Sequence, residues 1–394
     1  MKNYLLLACI LLILCCSREN YYQVTNPLTE DIVDKSNVLT RAEVLQYLAD
    51  STFTDGLVAK TGTGEWLPTQ CDDLDGDGKW DELAFLCDCK ATETLKIKFE
   101  KPDSTVSFPQ RTNIRFGRMT KPFEEVTGDL RMKTNDTKFT APVYQMEGPA
   151  WENDKIAFRN YYDARNGIDI FGKTTKEMIL DSVGVNGREY HTLADWGMDI
   201  LKVGNSLGAG AIAIGVGDSI YRIGPCEEGT YKLIAEGPVR SILELNYKNV
   251  PAGDRNYNVK HRIIINAGDR FYRNRIWVSD LKGDESLVTG IVNLHNVPTD
   301  TLSLPQEGIL YSLGNQGYSG ELLGMSLFFP DSQLIRFDEA PLEGSGIVNT
   351  HLLRLKLYKD APSEYRFMAV WENESPQIKD IEYFKRLILE EANR

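Results

Sequence analysis

The chain has 394 residues, 42% hydrophobic and 10% aromatic, an ordinary globular composition that argues against disorder and supplies one large core or two packed ones. Its formal charge of −13 disfavours nucleic acid as a partner, because phosphate binding draws on clustered Lys and Arg. A local basic groove for an acidic substrate remains compatible with that charge.

Residues 1–15 carry one Lys, at position 2, ahead of an apolar run from Tyr4 to Leu14. The run is too short to span a bilayer as a mature helix and reads as a secretory signal. Ile13-Leu14-Cys15-Cys16 resembles a bacterial lipobox with Cys16 as the lipid-modified residue; an ordinary signal peptide with incidental cysteines is the plainer alternative. A diacylglyceryl thioether with an amide-linked chain would supply the two anchors that stable membrane attachment needs. The expectation is a domain tethered in the bacterial cell envelope, at the outer membrane or facing the periplasm.

Residues 16–38 are polar and mixed, as a tether would be. Thr40 with Glu43 predicts a capping box and a short helix through Asp50. From about residue 53, short β-branched or aromatic runs recur between Gly, Pro, Asn and Asp clusters, among them Leu83–Cys87, Asn258–Ile265, Phe271–Val278 and Tyr365–Trp371. Only Thr174–Ser182 and the tail Ile378–Ala392 look helical. The pattern predicts a mainly β protein: a large antiparallel β-sandwich over 136–394, a smaller N-terminal β region over 39–135, and few short helices. Beyond Cys16 the cysteines are Cys71, Cys87, Cys89 and Cys226; Cys71 with Cys87 or Cys89 could close a short loop in an oxidising compartment.

The sharpest local pattern is the acidic loop at 72–82, where Asp73, Asp75, Asp77, Asp81 and Glu82 surround two glycines. Ca²⁺ takes six to eight oxygens, and a glycine-bent loop can wrap carboxylates around it, so a structural Ca²⁺ site is expected there, against a solvated polar turn. Next come Trp151-Glu152-Asn153 and the Phe158–Asp169 stretch, dense in aromatics and planar polar side chains. These suit a sugar, whose C–H faces stack on rings and whose hydroxyls seek planar partners. Alternation puts Arg159, Tyr161 and Asp163 on one face, where an internal salt-bridge network is the competing explanation. The run from Tyr190 to Lys202 brings one His, two Asp, Trp196 and a Lys together; His191 is the leading acid or base, with Tyr190 beside it. Arg273 and Arg275 lie between aromatics on one strand face and could clamp a carboxylate, or be a solvated outer face. His261 among aliphatics reads as a core histidine. Zinc-protease pairs and dinucleotide glycine fingerprints do not occur in the sequence.

The runs WENDKIAFRNYYDARNGIDIFGK and YHTLADWGMDILKVGNSLGAGAIAI, with the acidic loop DDLDGDGKWDEL, resemble an uncharacterised family of bacterial envelope proteins known as a domain of unknown function. That resemblance covers most of the mature chain and implies a setting among pectin- and uronate-degrading enzymes. EGPVRSILELNY and VKHRIIINAGDRFYRNRIWV also look like strands of the galactose-mutarotase-like supersandwich, shared with polysaccharide lyases, whose aromatic-lined cleft binds sugar. A lipid-anchored carbohydrate-active enzyme on uronate-containing oligosaccharides is therefore expected, acting by β-elimination or by mutarotation or epimerisation. In it His191 would be the base, Tyr190 the acid and Arg159 (or Arg273 with Arg275) the clamp. Glu152 or Asp195 would be the partner carboxylate. Trp151, Asn153, Tyr162, Trp196 and Lys202 would hold the sugar. Glu152 with Asp195 or Asp199 would suit glycoside hydrolysis. The alternative is a non-catalytic glycan-binding lipoprotein. No nucleotide or redox cofactor is expected.

Overall fold

The structure is a computed structural model that describes residues 20–48, 55–119, 124–132, 143–185 and 189–394. Cys16 and the lipobox lie outside them. Two three-stranded antiparallel sheets come first: Tyr22–Thr25, Thr94–Glu100 and Val58–Thr61 in one, Ile32–Thr40, Glu82–Cys89 and Thr69–Asp72 in the other. They close over Val24, Leu39, Leu83, Phe85, Ile97 and Phe99, with Phe85 and Phe99 meeting edge to face at 6.0 Å. The Glu82–Cys89 strand is apolar on both faces because both are covered. Leu83 and Phe85 face this small core, while Ala84 and Leu86 pack on Val239 and Ala267 of the larger part.

The sandwich sets one nine-stranded antiparallel sheet against two five-stranded ones. The large sheet runs Asp300–Leu304, Glu307–Asn315, Leu322–Pro330, Ser363–Trp371, Phe271–Val278, Arg255–Asn266, Arg240–Ala252, Glu228–Ala235 and Gly128–Met132. One small sheet runs Gly197–Asp199, Ile168–Lys173, Ile156–Asn160, Ala150–Asn153 and Thr112–Arg115. The other is built around Glu285–Val292 and Thr350–Lys356. Period-two alternation decides what each face does. Tyr272 points inward to Trp151 (5.2 Å) and Phe158 (4.7 Å), while Phe271, Arg273, Arg275 and Trp277 point outward. Tyr272 and Tyr365 satisfy their buried hydroxyls on the carbonyls of Ala209 and Gly210, each at 2.5 Å. Gly210 must be glycine: its φ is +77° and an added Cβ would sit 2.7 Å from the Phe367 ring. The helix Ile381–Ala392, capped by Asp380, lays Phe384, Leu387 and Ile388 over Phe271, Phe328 and Met368 on the outer face of the large sheet.

Several expectations are corrected. The expected tether at 16–38 holds two strands, Tyr22–Thr25 and the start of Ile32–Thr40. The boundary lies between Glu100 and Thr112 rather than at 135, since Thr112–Arg115 already belongs to the sandwich. The capping box is present, with Thr40 N–H donating to Glu43 Oε2 at 2.7 Å, but the helix is the single turn and a half Arg41–Leu45. Thr174–Ser182 forms turns, not a helix, because the Glu152 carboxylate accepts the N–H groups of Ile179 and Leu180, both at 2.8 Å. Cys71, Cys87, Cys89 and Cys226 are free. Cys71 pairs with Leu83 across the strands, which puts Cys87 four residues, about 13 Å, further along the neighbouring strand.

Candidate functional site

One face of the Thr112–Asp199 sheet packs into the core through Trp151, Phe158 and Ile170; the other carries charge beneath Ile179, Leu180, Val183, Tyr190 and Trp196. Register places Arg159 directly opposite Asp169, and Phe171 opposite Asp199, so both aspartates converge on one guanidinium. Arg159 is fully buried. Its Nη2 contacts Asp169 Oδ2, stands 3.4 Å from Asp199 Oδ2 and donates to Tyr161 Oη at 2.8 Å, while Nη1 donates to the Met146 carbonyl at 2.6 Å. Tyr161 in turn donates to Asp169 Oδ2 at 2.9 Å. Burial first, and the Asp169 carboxylate second, push the Asp199 carboxyl well above the usual carboxylate range, with the Arg159 guanidinium opposing them. Two carboxyls against one arginine are one negative charge in excess for a dry site.

His191 covers this pair from the solvent side, 38% exposed, with Nε2 3.5 Å from Asp199 Oδ2 and Nδ1 2.5 Å from Glu189 Oε1. Glu189, a carboxylate, accepts the Nδ1–H. The imidazole stacks on Tyr190 at 4.6 Å and meets Tyr318 at 5.3 Å. Tyr318 is fixed through its N–H to the Ile200 carbonyl at 2.7 Å, next to Asp199, and its ring is half exposed. The Tyr190 hydroxyl turns inward to Arg159, and burial raises its pKa. The assembly sets a part-exposed imidazole beside a buried carboxyl, the kind of pair that can take and return a proton.

The other expected site residues are placed differently. Arg159 is fully buried, with Asp169 and Asp199 on Nη2, and offers no solvent-facing edge to a substrate carboxylate. Asp163, the expected partner in an Arg159 network, pairs with Arg165 at 2.5 Å. Glu152 is fully buried against Lys173 Nζ at 2.6 Å. Asn153 uses its amide to tie down the carbonyls of Asn266 (2.5 Å) and Asp269 (2.7 Å). Trp151 and Tyr162 are buried, Trp151 against Phe158 and Tyr272, Tyr162 against Phe116 and Tyr144, so neither is a sugar platform. Trp196 leans edge-on against Phe171 at 6.3 Å; Asp195 and Lys202 are exposed. Arg273 and Arg275 sit on the outer face of the large sheet, across the sandwich from His191, and cannot serve the same substrate group. His261 is a buried core histidine bonded to Asn274 at 2.7 Å. In the acidic loop, Asp73, Asp75 and Asp81 bring one carboxylate oxygen each within 4.8 Å of one another and could hold a cation. Asp77 instead accepts the Lys79 N–H at 2.8 Å, and Glu82 pairs with Arg240 at 2.7 Å.

Asp169, Glu189 and Tyr318 were not singled out from sequence. A signal existed for the aspartates: Ile168-Asp169-Ile170 and Met198-Asp199-Ile200 each place an acid between bulky apolar residues on a short strand, where a charge needs a buried partner.

No curated protein matches the chain. Among solved structures it is similar to a glycosyl hydrolase family 38 protein from Enterococcus faecalis, with TM-score 0.40, 10% identity, and coverage of 95% of this chain and 47% of that one. It is also similar to an alpha-mannosidase from Enterococcus faecalis V583, with TM-score 0.31, 11% identity, and coverage of 93% and 44%. The chain thus spans just under half the length of these proteins. Residues 24–394 match the family described as a domain of unknown function, DUF4861, and the chain belongs to that family.

Proposed function

We propose that the protein is a carbohydrate-active enzyme of the bacterial envelope, anchored through Cys16, that transfers protons on uronate-containing oligosaccharides at His191. The observation that carries this reading is the part-exposed His191 imidazole, held by Glu189 at Nδ1 and with Nε2 3.5 Å from the buried Asp199 carboxyl. In a β-elimination His191 would take the C5 proton, the C4=C5 bond would form as the C4–O bond breaks, and a phenol would protonate the leaving oxygen. Tyr318 fits that role better than Tyr190, whose hydroxyl is engaged by Arg159. β-Elimination also needs a cation on the uronate carboxylate, and Arg159 is fully buried against Asp169 and Asp199. Mutarotation, which asks only for an acid and a base at the hemiacetal, is therefore the form the arrangement suits best; epimerisation at C5 would need the same carboxylate cation as β-elimination. The Asp169–Asp199 pair is too close, on one guanidinium nitrogen, to flank a glycosidic bond as hydrolysis requires. A structural Ca²⁺ on Asp73, Asp75 and Asp81 belongs to the same reading.

The test incubates the protein lacking residues 1–16 with pectic oligosaccharides, alongside His191→Ala. Absorbance near ~235 nm reports an unsaturated uronate, and NMR reports anomer or epimer exchange. Product or exchange that disappears in His191→Ala supports the proposal. Sugars left unchanged by the parent protein, with binding that survives His191→Ala, would replace it by the glycan-binding lipoprotein.

A further inference from the structure

The outer face of the large sheet carries a basic strip that the His191 reading does not use. Alternation along Phe271–Val278 turns Arg273, Arg275 and Trp277 outward over about 13 Å. Register sets Arg366 opposite Arg273, Arg262 opposite Arg275, and Lys260 opposite Trp277. Like charges directly across a strand pair repel and need offsetting. Glu244 takes Arg262 at 3.1 Å, Glu364 takes Arg275 at 3.0 Å, and Glu307 takes Arg366 at 2.6 and 2.7 Å.

Arg273 is the one left over. Among the described residues its guanidinium makes no hydrogen bond; its nearest carboxylate, Asp269, is 4.0 Å away, and it otherwise lies over the Phe271 ring at 4.8 Å. The side chain is 33% exposed and borders a cavity of about 330 Å³ shared with Arg275 and Arg366. Five donors in a fixed fork, open to a cavity between two further arginines, match a carboxylate taken edge-on. At the other end Trp277 borders a second cavity of about 480 Å³, with Thr230, Asn246, Lys248 and Lys260 on its walls. Thr230, Asn246, Lys260 and Trp277 form one cross-strand row, and Lys260 Nζ rests over the indole at 4.3 Å. A half-buried indole beside a hydroxyl, an amide and ammonium groups matches the C–H face and hydroxyls of a sugar ring.

We propose that this strip binds an acidic oligosaccharide lengthwise, with one carboxylate on Arg273 and a ring on Trp277 in place of the Lys260 ammonium. It is a second site, separated from His191 by the thickness of the sandwich, and it stands whether or not His191 is catalytic. The choice of ligand rests on charge: in a protein of net charge −13, Arg273 has its nearest carboxylate 4.0 Å away and sits between Arg275 and Arg366, while Lys248, Lys260 and Lys359 line the Trp277 cavity against one acid, Glu228.

Titration calorimetry on the full-length protein tests it, with a galacturonate pentamer, a neutral galactan pentamer and free galacturonate as probes. The acidic pentamer should bind at least about tenfold more tightly than the other two and weaken with salt. Arg273→Gln and Trp277→Ala should each lose about tenfold or more with unchanged melting temperature, and His191→Ala should lose nothing. Lys260→Gln reads the Trp277 end if Trp277→Ala fails to fold, and should lose affinity as well. Wild-type affinity in folded Arg273→Gln and Lys260→Gln would overturn the proposal, as would free galacturonate binding as tightly as the pentamer. Binding abolished by His191→Ala would move the glycan to the other face and overturn it too. Loss of turnover in His191→Ala with this binding intact concerns the acid–base site alone.

Discussion

Glu152 separates a catalytic from a structural reading most cleanly. Its carboxylate is fully buried, pairs with Lys173 Nζ at 2.6 Å, and accepts the N–H groups of Ile179 and Leu180 (2.8 Å each) and the Asn113 amide (3.1 Å). Glu152→Gln leaves Lys173 without a counter-ion and turns one acceptor oxygen into a donor facing donors. Breaking a buried pair from one side costs about 3–5 kcal/mol. For a chain of this size that lowers the melting temperature by about 4–6 °C. Burial already lowers the Lys173 pKa, with Glu152 opposing the shift, and removing Glu152 lowers it further. Between that folded pKa and the unfolded one the unfolded chain binds the extra proton, so the deficit should shrink as pH rises. Adding Lys173→Met removes the stranded charge and should recover much of the loss. Thermal melts across pH, with turnover on pectic oligosaccharides, decide the matter. A Glu152→Gln protein that melts like wild type but has lost turnover would refute the structural reading and return Glu152 to catalysis.

Arg240 joins the N-terminal sheets to the sandwich through Asp72 and Glu82, both at 2.7 Å, so Arg240→Ala should cost about 3–5 kcal/mol in urea unfolding and lower the midpoint. Burial lowers the His261 pKa to about 4. Its stabilisation is complete above the unfolded value and is lost as pH falls toward 4, so wild type should lose roughly 3 kcal/mol more than His261→Gln between pH 7 and pH 4 in denaturant melts. If Asp73, Asp75 and Asp81 hold Ca²⁺, adding Ca²⁺ should raise the melting temperature and EDTA reverse it, with neither effect in Asp75→Asn. Phe384→Ala removes a fully buried ring between the last helix and the large sheet and should cost about 3–5 kcal/mol in the same unfolding assay.

Strand-period runs such as Phe271–Val278 and Asn258–Ile265 were legible because alternation is a local property: each residue's side of the sheet follows from its neighbours. The Thr40–Glu43 capping box was legible for the same reason, since all its atoms lie within one turn. The turns over Thr174–Ser182 were not, because a carboxylate some two dozen residues upstream captures their backbone. Neither was the fate of Trp151 and Tyr162, because an aromatic on a strand looks the same whether its face meets sugar or Tyr272. His191 stood out as a titratable group in a polar loop, but its partners Glu189, Asp199 and Tyr318 are assembled from a loop, a strand end and a distant turn.

By itself, then, the sequence determined the class of fold, the two-faced strands, and the residues rich enough in chemistry to matter. Tertiary structure decided which of those residues keep a free edge. Arg159, Glu152 and Trp151 are consumed by partners brought from other strands, whereas His191 and Arg273 are left facing solvent. The reason is energetic: a buried charge or polar group must be paired, and its partner comes from whichever strand the sheet order sets beside it.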